Sequence, residues 1–403
     1  MTLLLRSATL SNGSQIDIAI SDGNITWMGA PASYTGPVEE HLDLTGYILT
    51  SSFVEPHAHL DKAFLADRVF NPAGDLMGAI RGLEAVRASI THEDIVERSI
   101  RAAVLMSQNG VTAVRTHADT TISGGLSSVL ALLEAKRRCA HFIDIQVAML
   151  LEWPLTGIDG ADRRALATEA IAAGIDVVGG CPHLDPNPRE AVEYLLALAL
   201  EHNLPLDLHA DENLRPDSND LEHLADVVLS QKIVHQMNAS HCVSLSTHSE
   251  YDIQRISEKV ATADISVTAL PQTNLFLQGR GITSGTPRAI TPVNALLKAG
   301  VTVAAGADNL QDPFNLMGRG DPLEIASLMV TAAHTSPMTA HHMISQASSI
   351  VVTGQSTDIA VGHRANLVAI RATTLRESVA MGPPDRHVVY GGVVIDNQNR
   401  NRK

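Results

Sequence analysis

Eight β-rich runs alternating with helix-period runs between residues 47 and 350, helices that stop at a glycine just before a strand, and two chain ends that break this rhythm predict an α/β protein. The fold they predict is a (β/α)8 barrel with a small β-domain formed from both chain termini. The barrel is assigned to residues 51–357, and the β-domain to 1–50 together with 358–403. The β-rich runs are 47–61, 111–119, 142–152, 175–183, 205–212, 233–242, 265–274 and 301–308. Ala- and Leu-rich stretches such as 95–108, 126–136, 163–173 and 189–202 lie between them, with apolar residues every three and four positions as amphipathic helices require. Asn109-Gly110, Ala173-Gly174 and Ala299-Gly300 each precede a strand, and glycine there supplies the left-handed cap that ends a helix. The ends differ: Asn12-Gly13 and Asp22-Gly23 are hairpin turns between alternating segments, and 365–370 and 388–395 are again strand-like. Neither end has enough strands to bury its apolar face alone, so both are expected to pair into one sheet.

Composition narrows the function. The chain of 403 residues carries 29 Lys+Arg against 44 Asp+Glu, a net charge of -15, so no basic excess exists to neutralise phosphates and no nucleic-acid partner is expected. Apolar residues make up 45% and charged residues 18%, enough for a sizeable core. Aromatics are only 3%, which argues against base-stacking platforms. Cys139, Cys181 and Cys242 are odd in number and scattered, as in a reducing compartment. The apolar start is too short for a signal peptide, and 195–200 is far too short to span a bilayer. The expectation is a cytoplasmic protein with no membrane partner.

In such barrels the active site lies at the C-terminal ends of the strands. His57 and His59, two apart on the first strand, point to one side and can share a metal. The fifth strand ends in His209 and Glu212, the sixth in Ser240-His241, and the eighth in Asp308-Asn309. Three histidines and one aspartate from separate strands form an N/O set suited to Zn2+ or Fe2+. A chain with 18 histidines also has many on solvated faces, so the joint placement at strand ends carries the inference rather than any single residue.

The run Val54-Glu55-Pro56-His57-Ala58-His59-Leu60-Asp61, with His209 and Glu212, Ser240-His241 and Asp308, resembles the amidohydrolase superfamily, and within it the cytosine deaminase group. The likeness extends to 114–119, 174–180, 277–282 and Asp312-Pro313, and so spans nearly the whole chain. It implies that His57, His59, His209 and Asp308 hold one catalytic divalent metal ion, Zn2+ or Fe2+. It further implies that His241 polarises the attacking water, and that Glu212 moves the proton from water to the leaving nitrogen. Binuclear relatives carry a bridging carboxylated lysine at the end of strand four; no Lys occurs between Lys136 and Lys232, so one metal is expected. Members of this superfamily are commonly oligomers, and a homo-oligomer is expected.

Substrate contacts are expected from Lys62, Glu152, Asn309 and Phe314. Glu152 stands where cytosine deaminases carry Gln; ionised, it only accepts hydrogen bonds and favours a ring edge rich in N–H donors, unless its role is structural. Asn309 and Lys62 resemble N-isopropylammelide amidohydrolases, although Lys62 has a second reading as an ion pair with Asp61 or Asp119. Phe314 is placed like the aromatic that covers the heterocycle in cytosine deaminases, and Gln278, Arg280, His117, Asp119 and His183 are lesser candidates. The implied function is metal-dependent hydrolytic deamination at an exocyclic C–N bond of a small nitrogen heterocycle. The alternative is removal of an N-alkylamino group from a triazine-type ring.

Overall fold

The structure, a computed structural model, describes residues 2–396, so the parts of the terminal β-domain expectation that fall on Met1 and 397–403 lie outside the described residues. Two eight-stranded sheets organise the described residues. The N-terminal part supplies β1 (Thr2–Thr9), β2 (Gln15–Ser21), β3 (Asn24–Gly29), β4 (Glu40–Asp43) and β5 (Ile48–Ser51). Asp22 and Gly23, at φ 50° and 81°, form the two-residue turn between β2 and β3, where both central residues need positive φ.

The barrel strands follow as β6 (Phe53–Ala58), β7 (Val111–Thr120), β8 (Asp144–Leu151), β9 (Val178–Gly180), β10 (Leu206–Ala210), β11 (Met237–His241), β12 (Ser266–Ala269) and β13 (Val303–Ala305). They pair in parallel in sequence order. The ring closes beyond β13, where Asp308 bridges Ala58 and its N–H donates to the His57 carbonyl at 3.0 Å. The barrel is therefore sealed by the same residues that carry the candidate metal donors.

Helices α1 (Leu76–Val86), α2 (His92–Gln108), α3 (Ser127–Cys139), α4 (Ala161–Ala173), α5 (Pro188–His202), α6 (Asp220–Gln231), α7 (Glu250–Thr262), α8 (Pro271–Leu277) and α9 (Val293–Ala299) accompany the strands. α10 (Pro322–Ala332), α11 (Pro337–Met343) and α12 (Gln346–Thr353) complete this part. Gly174 and Gly300 cap α4 and α9 at φ 97° and 93°, as the Ala-Gly pairs suggest. Beyond α12 the chain returns to the first sheet as β14 (Leu367–Ile370), β15 (Arg386–Tyr390) and β16 (Val393–Val394), with α13 (Leu375–Met381) between the first two. β14 pairs antiparallel with β5, joining the two ends of the chain around a separate core that includes Leu3, Leu5, Ile18, Ile20, Leu49 and Leu367.

Several runs are shorter than their sequence patterns. Run 47–61 divides at Ser52 into β5 of one sheet and β6 of the other, because the Ser52 amide pairs with Asn366 while that of Phe53 pairs with Gly110. Run 265–274 stops at Ala269, since Pro271 opens α8 and cannot donate to a ladder. Among the described residues, no helix is long and apolar enough to cross a membrane. Helix α1 lies over the barrel mouth, where Ala79 and Leu83 join Leu65, Val69, Leu277 and Phe314 in a small apolar cluster. Its N-cap is Asp75, whose carboxylate accepts from the Gly78 amide at 2.7 Å.

Candidate active site

Four buried donor atoms from three parts of the chain meet at the C-terminal end of the barrel. His57 Nε2 lies 3.1 Å from His209 Nε2 and 3.6 Å from Asp308 Oδ1. His59 Nε2 lies 3.3 Å from His209 Nε2 and 3.2 Å from Asp308 Oδ1. Donors held about 2.0–2.1 Å from a common tetrahedral centre stand roughly 3.3 Å from one another, so these separations fit a single divalent ion. Burial first, and then the neighbouring imidazoles, push His57 and His209 well below the usual histidine range, which leaves both rings neutral. Asp308 Oδ1 is buried without a hydrogen-bond partner, as an atom reserved for a cation would be.

Ring orientation follows from the other nitrogens. His59 Nδ1 is 3.3 Å from the His117 carbonyl, which can only accept, so Nδ1 carries the hydrogen and Nε2 a lone pair. His57 Nδ1 meets the Ser240 hydroxyl at 2.9 Å. Asp308 and His241 adopt φ 65° and 72°, strained for residues with a Cβ, and both occur where a strand end turns.

Beside the donors stand two further expected residues. His241 Nδ1 lies 3.0 Å from Asn274 Oδ1, which orients the ring so that its buried Nε2 stands 3.7 Å from Glu212 Oε2. Burial pushes Glu212 up to about 7, with His241 pulling the other way. Such a carboxyl can both accept and donate a proton near neutrality. Asn274 was not singled out by sequence; its pattern reads as strand, and only the Pro271 helix start gives it away.

These groups line one side of a cavity of about 150 Å³ that His59, His209, Glu212, His241 and Asp308 share with Lys62, Glu152, Asn309 and Phe314. The four expected substrate contacts are thus all in the cavity, but three already have protein partners. Lys62 Nζ pairs with Asp119 and lies 3.7 Å from Asp61, so the ion-pair reading holds alongside its place in the wall. Burial raises Asp119, but Lys62 and Arg87 overcome it and hold this carboxylate below its usual range. Glu152 Oε2 accepts from the Ile122 amide at 2.9 Å and from Arg163 Nε at 3.2 Å. Asn309 Nδ2 donates to Asp312 Oδ2 at 2.8 Å, and Phe314 lies 5.8 Å from Lys62 Nζ.

Of the lesser candidates, Asp119 lines the cavity, whereas Gln278 donates to the Glu212 carbonyl at 3.0 Å and His183 Nδ1 lies 2.9 Å from the His209 carbonyl. His117 stacks on His57 at 4.0 Å, and Arg280 stacks on Phe276 at 4.5 Å. Sequence reading missed the apolar wall of Leu76, Ile80 and Leu83, although their i, i+4, i+7 spacing is a helical stripe. It also missed Arg87, which pairs with Asp119 at 3.1 Å and Glu84 at 2.6 Å, and which no local pattern marks.

Residues 73–398 match the amidohydrolase family. The chain is 31% identical over 395 residues to a pterin deaminase of Rhizobium rhizogenes, covering 94% of this chain and 87% of that protein. It is 24% identical over 410 residues to an N-isopropylammelide isopropyl amidohydrolase of Pseudomonas sp., covering 98% of this chain and 96% of that one. A crystal structure of 5-methylcytosine deaminase from Klebsiella pneumoniae, liganded with 5-fluorocytosine, superposes with a TM-score of 0.90 at 28% identity, covering 98% of this chain and 97% of that one. A match over most of the length, on a barrel whose strand ends carry these histidines and carboxylates, makes the chain a member of the amidohydrolase family, a hydrolase of carbon–nitrogen bonds.

Proposed function

We propose that this protein is a metal-dependent hydrolytic deaminase acting on a small nitrogen heterocycle of pyrimidine type, with one ion, Zn2+ or Fe2+, held by His57, His59, His209 and Asp308. The observation that carries the reading is the convergence of those four donors, three of which line one small cavity together with Glu212 and His241. The two deaminase relatives support the choice of an exocyclic amino group as the leaving group. When bound, a divalent ion supplies Lewis acidity that makes water nucleophilic near neutral pH. His241, its ring oriented by Asn274, positions that water through Nε2. Glu212 takes a proton from the water as its oxygen adds to the ring carbon, then delivers it to the amine as the C–N bond breaks. The remaining hydroxyl proton passes to the adjacent ring nitrogen, so the ring keeps a carbonyl beside an N–H and ammonia departs. The apolar wall from α1 and Phe314 packs against the ring and excludes bulk water.

A second reading removes an N-alkylamino group from a triazine-type ring by the same steps. Asn309 and Lys62 favour it, as does the Pseudomonas relative. A release assay on the metal-loaded protein tests both, using amino-pyrimidines, pterins, cytosines and N-alkylaminotriazines. Ammonia from a pyrimidine-type ring is the expected product. Alkylamine release would favour the second reading, and no amine from any ring would sink both.

A further inference from the structure

Below the metal donors, the barrel interior holds a chain of polar side chains that ends on His57. Ser240 Oγ lies 2.9 Å from His57 Nδ1, 2.9 Å from Asp207 Oδ1 and 3.0 Å from Asn238 Nδ2. A hydroxyl has one hydrogen to give, so these three contacts cannot all be of one kind. Asp207 is buried and paired with Arg115, whose Nη1 donates to Oδ2 at 2.7 Å. Burial works against the Asp207 charge, but both of its oxygens face donors, Arg115 Nη1 on Oδ2 and Asn238 Nδ2 on Oδ1 at 2.8 Å, so the geometry casts it as the acceptor of the set. The Asn238 amide is oriented independently, because its Oδ1 accepts from Thr268 Oγ1 at 3.0 Å. Ser240 must therefore give its hydrogen to Asp207, and it keeps only lone pairs for His57. The hydrogen between Ser240 and His57 then belongs to Nδ1, and Nε2 is left bare. In the other tautomer, Nε2–H would point at His209 Nε2, 3.1 Å away, and spend the lone pair that an ion needs.

We propose that Ser240 and Asp207 are positioning residues that lock His57 in its metal-binding tautomer, with Arg115 holding Asp207 as an obligate acceptor. The proposal rests on the reading of His57, His59, His209 and Asp308 as the metal-holding set. His59 reaches the same state through a backbone carbonyl. His57 depends on side chains, and so its state can be altered by substitution.

The test is the Zn2+ dissociation constant of the full chain, measured by competition with a chromogenic chelator in wild type, S240A, S240T and H57A. Loss of a side chain that orients a metal-ligating histidine usually weakens binding by roughly 10–100-fold, and S240A should fall in that range while S240T, which keeps the hydroxyl, stays near wild type. D207N should lose at least as much, because an amide can donate to Ser240 and turn its hydrogen toward His57. A second readout is the nitrogen NMR spectrum of histidine-labelled, metal-free protein, with the His57 signals identified by their absence in H57A. Nδ1 should be the protonated nitrogen in wild type, and a mixture of tautomers should appear in S240A. Wild-type Zn2+ affinity in S240A, or equal losses in S240A and S240T with an unchanged His57 spectrum, would overturn the relay. Wild-type affinity in H57A would instead refute the metal assignment beneath it, so the two failures are distinguishable.

Discussion

In the proposed mechanism Glu212 moves the proton, and burial beside His241 gives it a proton affinity near neutrality. Replacing it by Gln removes that titration and keeps the shape. E212Q should retain stoichiometric metal and lose roughly 10²–10⁴-fold in kcat, the usual scale for a general acid/base. Turnover close to wild type would assign the proton to another group. Glu152 is a different case. One of its oxygens is already committed to the Ile122 amide and to Arg163, so only part of its accepting capacity faces a ligand. E152Q exchanges an acceptor for a donor at the wall and should change the kcat/KM ratio between donor-rich rings and cytosine by roughly 10- to 100-fold, the scale of one mismatched buried polar contact. An unchanged ranking across the panel would make Glu152 purely structural. The chemical types of the proposed metal-holding set were legible in the sequence, since His57, His59 and His209 lie at the ends of β6 and β10 and Asp308 lies in the turn just beyond β13. The commitments of Lys62, Glu152 and Asn309 were not legible, because each pairs with a residue brought in from another loop or turn of the chain.

At the scale of elements, the barrel strands could be located from period and punctuation, yet their ends could not. β9 and β13 are three residues long, and the side chains beyond them act from turns rather than from ladders. Helix α11 makes an element-scale prediction about pH. His341 is buried with its ring edge-on to Phe53 at 5.6 Å, and burial pushes it down to about 4. The unfolded chain binds a proton there near pH 6.5, whereas the folded chain does so only near pH 4. Between those values the unfolded state holds more protons, so stability is fully present above about pH 6.5 and falls as the pH drops toward 4. The loss is on the order of 3 kcal/mol over that window. H341F keeps a ring beside Phe53 and cannot titrate. Its Tm should therefore fall less steeply than that of wild type between pH 6.5 and 4. Parallel Tm profiles would show that His341 does not carry this dependence.

For the whole molecule, the question is how the terminal sheet is held against the barrel. Arg386 on β15 donates through both terminal nitrogens to Asp321, each at 2.8 Å, and also to the Asn109 carbonyl at 2.7 Å. Asp321 in turn caps α10 through the Leu323 amide at 3.0 Å. The guanidinium is 1% exposed and the carboxylate 8%, so removing one partner strands a buried charge. R386A should cost about 3–5 kcal/mol, the range for breaking a buried pair, seen as a lower urea midpoint. D321N/R386M, which removes both charges, should recover part of that loss, and equal midpoints for the two variants would contradict a buried-charge origin.

The sequence by itself determined the alternation of strand and helix, the hairpins at Asn12-Gly13 and Asp22-Gly23, and the chemical types at the strand ends. Those features depend on periodicity, glycine conformation and short-range spacing, which act within a few residues. Tertiary structure alone decided which donors meet. Asp308 reaches His57 and His59 only because the last strand closes onto the first, and the cavity is enclosed only because α1 folds over the mouth. The tautomer of His57 likewise depends on Ser240 and Asp207, carried by two other strands. Local propensity carries no information about such contacts, since each is made by the closure of a ring whose members are far apart along the chain.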